Sequence, residues 1–226
     1  MMKGLIMKYE AIIFDMDGTI ISTRDIWHRV DMMIMQNRSI NPTPELIKEL
    51  ETRLLGLAMY ESCVVLKELA GINDSIKSLI KEKQKLADEL YNEHISYMPG
   101  FENFHKKVKQ LNLPTAIATN ATEKTLEKTN KKLDLKKHFG QHIYSIACVN
   151  NVCKPNPAIF LYAAKQLGAD PKKCLVFEDS AHGVAAAKAA GMDCIGINSA
   201  GDLKFTQHAN FTVDDFHELD IKKILF

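Results

Sequence analysis

Asp15 and Asp17 stand one residue apart in FDMDGT, where the apolar run Ala11, Ile12, Ile13, Phe14 gives way to Gly18 and Thr19. Four buried-type residues in a row predict a short strand that runs out into a loop at the aspartates. Alternation along an extended backbone turns both carboxylates toward the same side. Two carboxylates facing one pocket repel unless a cation or a proton lies between them. The pair therefore suggests a divalent metal, a carboxylate nucleophile with an acid/base partner, or both.

The rest of the chain predicts the scaffold for that pair. Residues 22–97 read as helix after helix, as in Ile76, Leu79, Ile80, Lys83, Leu86, Leu90, with breaks at Asn41-Pro42-Thr43-Pro44 and Gly71-Ile72-Asn73-Asp74. After Met98-Pro99-Gly100, helices alternate with strands: helix 101–111 and strand 114–118, helix 123–137 and strand 143–148, helix 156–167 and strand 175–177. A helix over 181–190, stopped by Gly191, then leads to strand 194–197. Such alternation predicts an α/β protein with a parallel sheet and crossover helices. The helical block is an insertion, giving a core of 1–21 and 98–226 and a second unit of 22–97, with a hinge near Ser22 and Met98.

Composition excludes several classes of function. The chain has 226 residues, 46% of them hydrophobic, and 29 Lys plus Arg against 28 Asp plus Glu, which leaves no basic field for nucleic acid. No stretch approaches the roughly 20 apolar residues of a membrane helix. Cys63, Cys148, Cys153, Cys174 and Cys194 are odd in number and lack CxxC spacing, and no signal peptide precedes them, which predicts reduced thiols in the cytoplasm. Met7 directly precedes KYEAIIF, so the first six residues are expected to be a dispensable extension. There is no GxxxxGK[ST] or GxGxxG loop.

In open parallel sheets ligands collect outside the carboxyl ends of the strands. Asp15 and Asp17 follow the first apolar run, Thr119 and Asn120 follow TAIA, Lys154 follows SIACV, and Glu178 and Asp179 follow LVF. As a set, DMDGT, AIAT, the lysine of KPNP, and FEDSAHGVAAAKAAGM resemble the four ordered motifs of the haloacid dehalogenase superfamily. The nearest subgroup is the beta-phosphoglucomutase-like sugar-phosphate enzymes. The resemblance implies a Rossmann-like parallel-sheet core with an inserted all-helical cap.

It further implies that Asp15 attacks phosphorus and that Asp17 protonates the leaving alkoxide and then deprotonates water. Mg²⁺ would be held by Asp15, the backbone carbonyl of Asp17, Asp179, and Glu178 directly or through water. Lys154, Thr119, and the backbone amides of Asn120 and Gly18 would bind the phosphate. The implied ligand is a small phosphorylated metabolite, handled by a monomer with no nucleic-acid or membrane partner. Thr23, Trp27 and the loop around Gly56 are the expected substrate contacts of the cap.

Asp17 argues against halide removal, since the dehalogenases lack the second aspartate. Against phosphoglucomutase-type phosphotransfer, Trp27 falls where those mutases carry a cap histidine and Met59 near their cap arginine. Ile26-Trp27 and Leu55-Gly56-Leu57 look more like the hexose-phosphate phosphatases. Ser22 stands where most relatives have an aspartate. A phosphoaspartate signalling receiver is the rival from another class, against which the helical insertion and the paired aspartates both count.

Taken singly, these residues have plainer readings. Thr119 alone would be a helix cap, Lys154 a surface lysine, and Glu178-Asp179 partners of a helix dipole. Gly183 is read as a close-packing residue of its helix. His28, His94, His182 and the other histidines have no zinc spacing and are expected at the surface. Met32, Met33 and Met35 are expected in the cap core or lining the cleft.

Overall fold

A computed structural model of the chain describes residues 7–199 and 201–226, without the side chains of Arg24, Asn92, Glu93 and His94. The expectations for residues 1–6 and for the His94 ring fall outside that description.

The first strand, β1 (Ala11–Phe14), is buried over its whole length. The chain then leaves the sheet for four helices: α1 (Arg24–Gln36), α2 (Pro44–Leu54), α3 (Met59–Ala70) and α4 (Ile76–His94). Thr43 caps α2 through the Leu46 amide, with Pro44 in its first turn. Ser75 caps α4 through the Ser78 amide, one residue past the expected break. Amphipathic faces of the four helices close on a core of their own around Val30, Ile34, Leu66 and Leu79. The two crossings meet each other: Ser22 N–H donates to the Ser96 carbonyl at 2.9 Å, and Ile21 bridges Tyr97.

The chain returns through α5 (Phe101–Gln110) to β2 (Thr115–Ala118), α6 (Glu123–Leu133), α7 (Leu135–Phe139) and β3 (Ile143–Tyr144). It continues with α8 (Ala158–Leu167), β4 (Cys174–Glu178), α9 (Ala181–Ala189), β5 (Asp193–Ile197), β6 (Phe211–Val213) and α10 (Ile221–Leu225). The six strands are all parallel, in the order β3-β2-β1-β4-β5-β6. Helices cover both faces, and each face has its own apolar core, one of them built on Phe14 stacked against Phe177. This is the expected α/β architecture with a helical insertion. Among the described residues no helix is long and apolar enough to cross a membrane.

Several boundaries differ from expectation for local reasons. The helix expected over 123–137 breaks at Asp134, whose φ of 50° caps α6, while the Asn130 side chain takes the Lys136 amide. The strand expected to Cys148 stops at Tyr144, because the Ser145 hydroxyl accepts from the Ala147 amide and turns residues 146–149 into a 3-10 helix. β3 is a two-residue strand at the sheet edge, and Lys154 reaches the centre on a loop rather than from a strand end. β6 and α10 were not foreseen. His105 departs from the surface reading: it is buried on α5, 3.1 Å from the Thr115 hydroxyl.

Candidate active site

Because β1 pairs with both β2 and β4, the residues that follow these three strands converge. The Asp15 amide donates to the Phe177 carbonyl at 2.9 Å, extending the ladder one step and fixing the carboxylate at the sheet edge. The Lys154 ammonium lies 2.6 Å from Asp15 Oδ1 and 2.7 Å from Glu178 Oε1, with its side chain only 2% exposed. Its approach is set from β2, since Asn120 Oδ1 accepts the Lys154 amide at 3.0 Å.

Asp15, Glu178 and Asp179 each present an oxygen within 4.8 Å of the others, and all three are buried. Burial raises the Asp15 carboxyl pKa; the Lys154 ammonium opposes the rise and the Glu178 charge adds to it. Asp179 is raised by burial and by the charges of Glu178 and Asp15, with the Ser199 hydroxyl, donating at 3.0 Å, working the other way. Burial works against the charged Lys154, but Asp15 and Glu178 outweigh it and its pKa rises. With all three carboxylates ionised against one ammonium, two buried negative charges would be uncompensated, which is costly and is why the Asp15 and Asp179 pKa values rise. The donors are all hard oxygens, so a divalent metal fits the cluster in both charge and chemistry.

Glycines make room for these carboxylates. A Cβ at Gly18, where φ is +82°, would lie 2.0 Å from Asp179 Oδ2, and one at Gly183 would lie 1.7 Å from Glu178 Oε1. Gly183 thus clears space for a site carboxylate, correcting the reading that it serves only helix packing. The plainer reading of Glu178 holds in part, since its second oxygen accepts from the Asp179 and Ser180 amides at the start of α9.

The phosphate-binding residues divide. Thr119 Oγ1 accepts the Ala121 amide at 3.0 Å, which leaves its own hydrogen to donate elsewhere. Asn120 Nδ2 is buried and has no acceptor among the described residues. The Gly18 amide already donates to the Ile21 carbonyl at 2.8 Å, so the turn consumes the donor that sequence reasoning assigned to a ligand.

Asp17 faces the cap. The Tyr91 hydroxyl of α4 donates to its Oδ1, and the Thr23 hydroxyl also bonds it. Burial raises the Asp17 pKa, and both hydroxyls oppose that rise. Trp27 packs edge-on against Tyr91, with ring centroids 5.9 Å apart. Gly56 rests on the core, where an added Cβ would be 2.5 Å from Ser180 Cβ. Thr23, Trp27 and Gly56 all line one cavity of about 190 Å³ together with Asp15, Asp17, Thr119 and Asn120. Met32 lines it as well, while Met35 is fully buried in the cap core.

Sequence reasoning did not find Tyr91, Ser199 or the buried Asp31–Lys83 ion pair of the cap, which closes at 2.6 Å. Tyr91 lies 74 residues from Asp17 and belongs to no local motif. Lys83 did carry a signal: a lysine standing in the apolar series of α4.

The chain is 30% identical over 186 residues to the phosphorylated carbohydrates phosphatase of Thermotoga maritima, covering 82% of this chain and 83% of that protein. It is 27% identical over 221 residues to hexitol phosphatase B of Escherichia coli O157:H7, covering 95% and 96%. Among solved structures, a haloacid dehalogenase hydrolase of family IA from Entamoeba histolytica superposes with a TM-score of 0.81 at 26% identity, covering 95% of this chain and 97% of that one. A family model for haloacid dehalogenase-like hydrolases matches residues 9–191, a span that begins just before β1 and includes all four converging loops. By that match and by its fold, the chain belongs to the haloacid dehalogenase-like hydrolases, a family of enzymes.

Proposed function

We propose that the protein is a Mg²⁺-dependent phosphatase of a small phosphorylated metabolite, foremost a sugar phosphate, acting through an aspartyl-phosphate. The observation that supports it is the contact between Asp15 and Lys154 at the floor of a cavity that also holds Asp17. The relatives named for phosphorylated carbohydrates and hexitols point to the same substrate class.

In this reading an Asp15 oxygen attacks phosphorus, the ester P–O bond breaks, and the Asp17 proton passes to the leaving oxygen. Asp17 then takes a proton from water as that water attacks phosphorus, the bond to Asp15 breaks, and inorganic phosphate leaves. Lys154 offsets the repulsion between the Asp15 carboxylate and the phosphate dianion, while Thr119 and Asn120 donate to phosphoryl oxygens. The assigned metal ligands are Asp15, the Asp17 carbonyl and Asp179, with Glu178 directly or through water; bound there, Mg²⁺ supplies charge neutralisation at a phosphoryl oxygen.

Residues 22–97 act as the cap, which moves about the paired crossings at Ser22 and Tyr97 and brings Thr23, Trp27 and Gly56 over the substrate, excluding bulk water. The reading takes the protein as a monomer working in the cytoplasm, a reducing compartment that suits its five free thiols.

The test is phosphate release from p-nitrophenyl phosphate and a panel of sugar monophosphates, with and without Mg²⁺. Release should require the metal and fall by at least about 10³-fold in Asp15→Asn. Asp17→Asn should still accumulate phosphorylated enzyme. Steady-state turnover retained in Asp15→Asn would remove the nucleophile assignment.

A further inference from the structure

The cavity continues past Asp17 into the cap along one face of α1. Thr23, Trp27 and Asp31 follow one another at four-residue spacing and all line it. At 1.5 Å per residue, Asp31 lies on the order of 12 Å along the helix axis from Thr23, which bonds Asp17. Beside Asp31 on the cavity wall stands Lys83 of α4, 2.6 Å away, with side chains 6% and 3% exposed.

A buried ion pair walled by apolar helices is expensive to keep and is no device for stability, because apolar residues of similar volume serve as well. The pair also has bonding capacity to spare: Lys83 Nζ meets Asp31 Oδ1 at 2.6 Å, which uses one of the ammonium's three N–H donors and one of the carboxylate's acceptor positions. The ammonium lies 5.9 Å from the Trp27 ring centroid, so the same aromatic touches both Lys83 and Tyr91. An acceptor and a donor side by side, both lining the cavity, match adjacent hydroxyls on a ligand.

Charge decides against a second anion. Lys83 is neutralised by Asp31, and the other ionisable cap groups on the cavity wall are Glu51 and His28, which pair with each other at 3.5 Å. No net positive charge faces the far end of the cavity from these groups, whereas a second phosphate or carboxylate would need it.

We propose that Asp31 and Lys83 form the selecting pair of the site, reading adjacent hydroxyls at the phosphate-distal end of an uncharged polyol or sugar chain. The inference rests on the phosphatase reading given above and narrows its substrate to monophosphates. Sites built to hydrogen-bond a hydroxyl reject analogues that lack it far more strongly than apolar pockets reject a missing methylene.

The experiment compares kcat/KM for a hexitol 6-phosphate, for n-hexyl phosphate, which lacks the hydroxyls, and for a hexose bisphosphate. The wild-type protein should prefer the hexitol ester to the hexyl ester by at least about tenfold, and to the bisphosphate as well. In the double variant Asp31→Leu/Lys83→Met, which removes both charges and avoids stranding one, the hexitol-to-hexyl ratio should collapse toward unity. A wild-type ratio near one, a bisphosphate preference, or an unchanged ratio in a folded double variant overturns the proposal. The wild-type comparison stands even if the variant does not fold. If the wild type releases phosphate from none of the three esters nor from p-nitrophenyl phosphate, the phosphatase reading fails instead.

Discussion

The hydroxyl of Tyr91, on the last helix of the insertion, donates its hydrogen to the carboxylate of Asp17, on the loop after the first strand of the core. That hydrogen bond links the group proposed to carry protons with the helical insertion. Removing the hydroxyl leaves a half-buried carboxylate short of a donor and freer to turn. Tyr91→Phe is expected to lower kcat by roughly tenfold while KM changes less than about threefold, since positioning of a general acid/base contributes to the chemical step. Steady-state kinetics on p-nitrophenyl phosphate measures both, and a kcat equal to wild type would show that Tyr91 does not position Asp17.

Gly183 is the sharpest steric constraint in the site. A methyl group there falls inside the Glu178 carboxylate, which holds Lys154 with one oxygen and the start of α9 with the other. Gly183→Ala should cost about 1–3 kcal/mol of stability by overpacking. Activity should fall more than the stability loss explains, because the Lys154 ammonium loses a fixed partner. Thermal melting and kcat/KM together check this; a variant with wild-type melting and wild-type rates would mean the loop simply gives way.

Excess negative charge at Asp15, Glu178 and Asp179 makes the fold itself report on a divalent cation. Adding Mg²⁺ at about 100 times its dissociation constant to chelator-treated protein should stabilise it by ~2.7 kcal/mol, a rise in melting temperature of roughly 5 °C or more at this size. The rise should be largely lost in Asp179→Asn. Equal shifts in both proteins would place the ion elsewhere.

His105 gives the core an acid sensitivity independent of the catalytic site. Burial, aided by the charges of His138 and Lys109, lowers its pKa from 6.5 to about 3 in the fold. Between those values the unfolded chain binds a proton that the folded chain refuses, so stability falls as pH drops through that window, by at most ~1.4 kcal/mol per pH unit. Denaturant unfolding at pH 7, 6, 5 and 4 should show the decline, and His105→Phe should flatten it. An equally steep decline in that variant would assign the sensitivity to other groups.

The reaction centre was legible because its members lie at strand ends, where a short apolar run announces the strand and the next residue announces the chemistry. Asp15, Thr119, Glu178 and Asp179 were found that way, and the structure brings them together. Lys154 was placed by the same strand-end reading although the strand expected to lead to it stops at Tyr144, where the Ser145 hydroxyl offers the Ala147 amide a local partner. The break at Asp134 stayed hidden because no Gly or Pro marks it, a single non-glycine residue with φ of 50° redirecting the axis. Tyr91 and the Asp31–Lys83 pair depend on how helices far apart in sequence lean together, which periodicity within one helix does not encode.

The bond from Ser22 to Ser96 and the bridge from Ile21 to Tyr97 tie the entrance of the insertion to its exit. A guest segment that leaves and rejoins its host through two stitched points can be exchanged whole, since neither the strand register nor the approach of Lys154 to Asp15 runs through it. Exchanging that contiguous stretch would leave Asp15, Lys154, Glu178 and Asp179 where they are, provided the new segment again offers Asp17 the hydroxyls that Tyr91 and Thr23 supply.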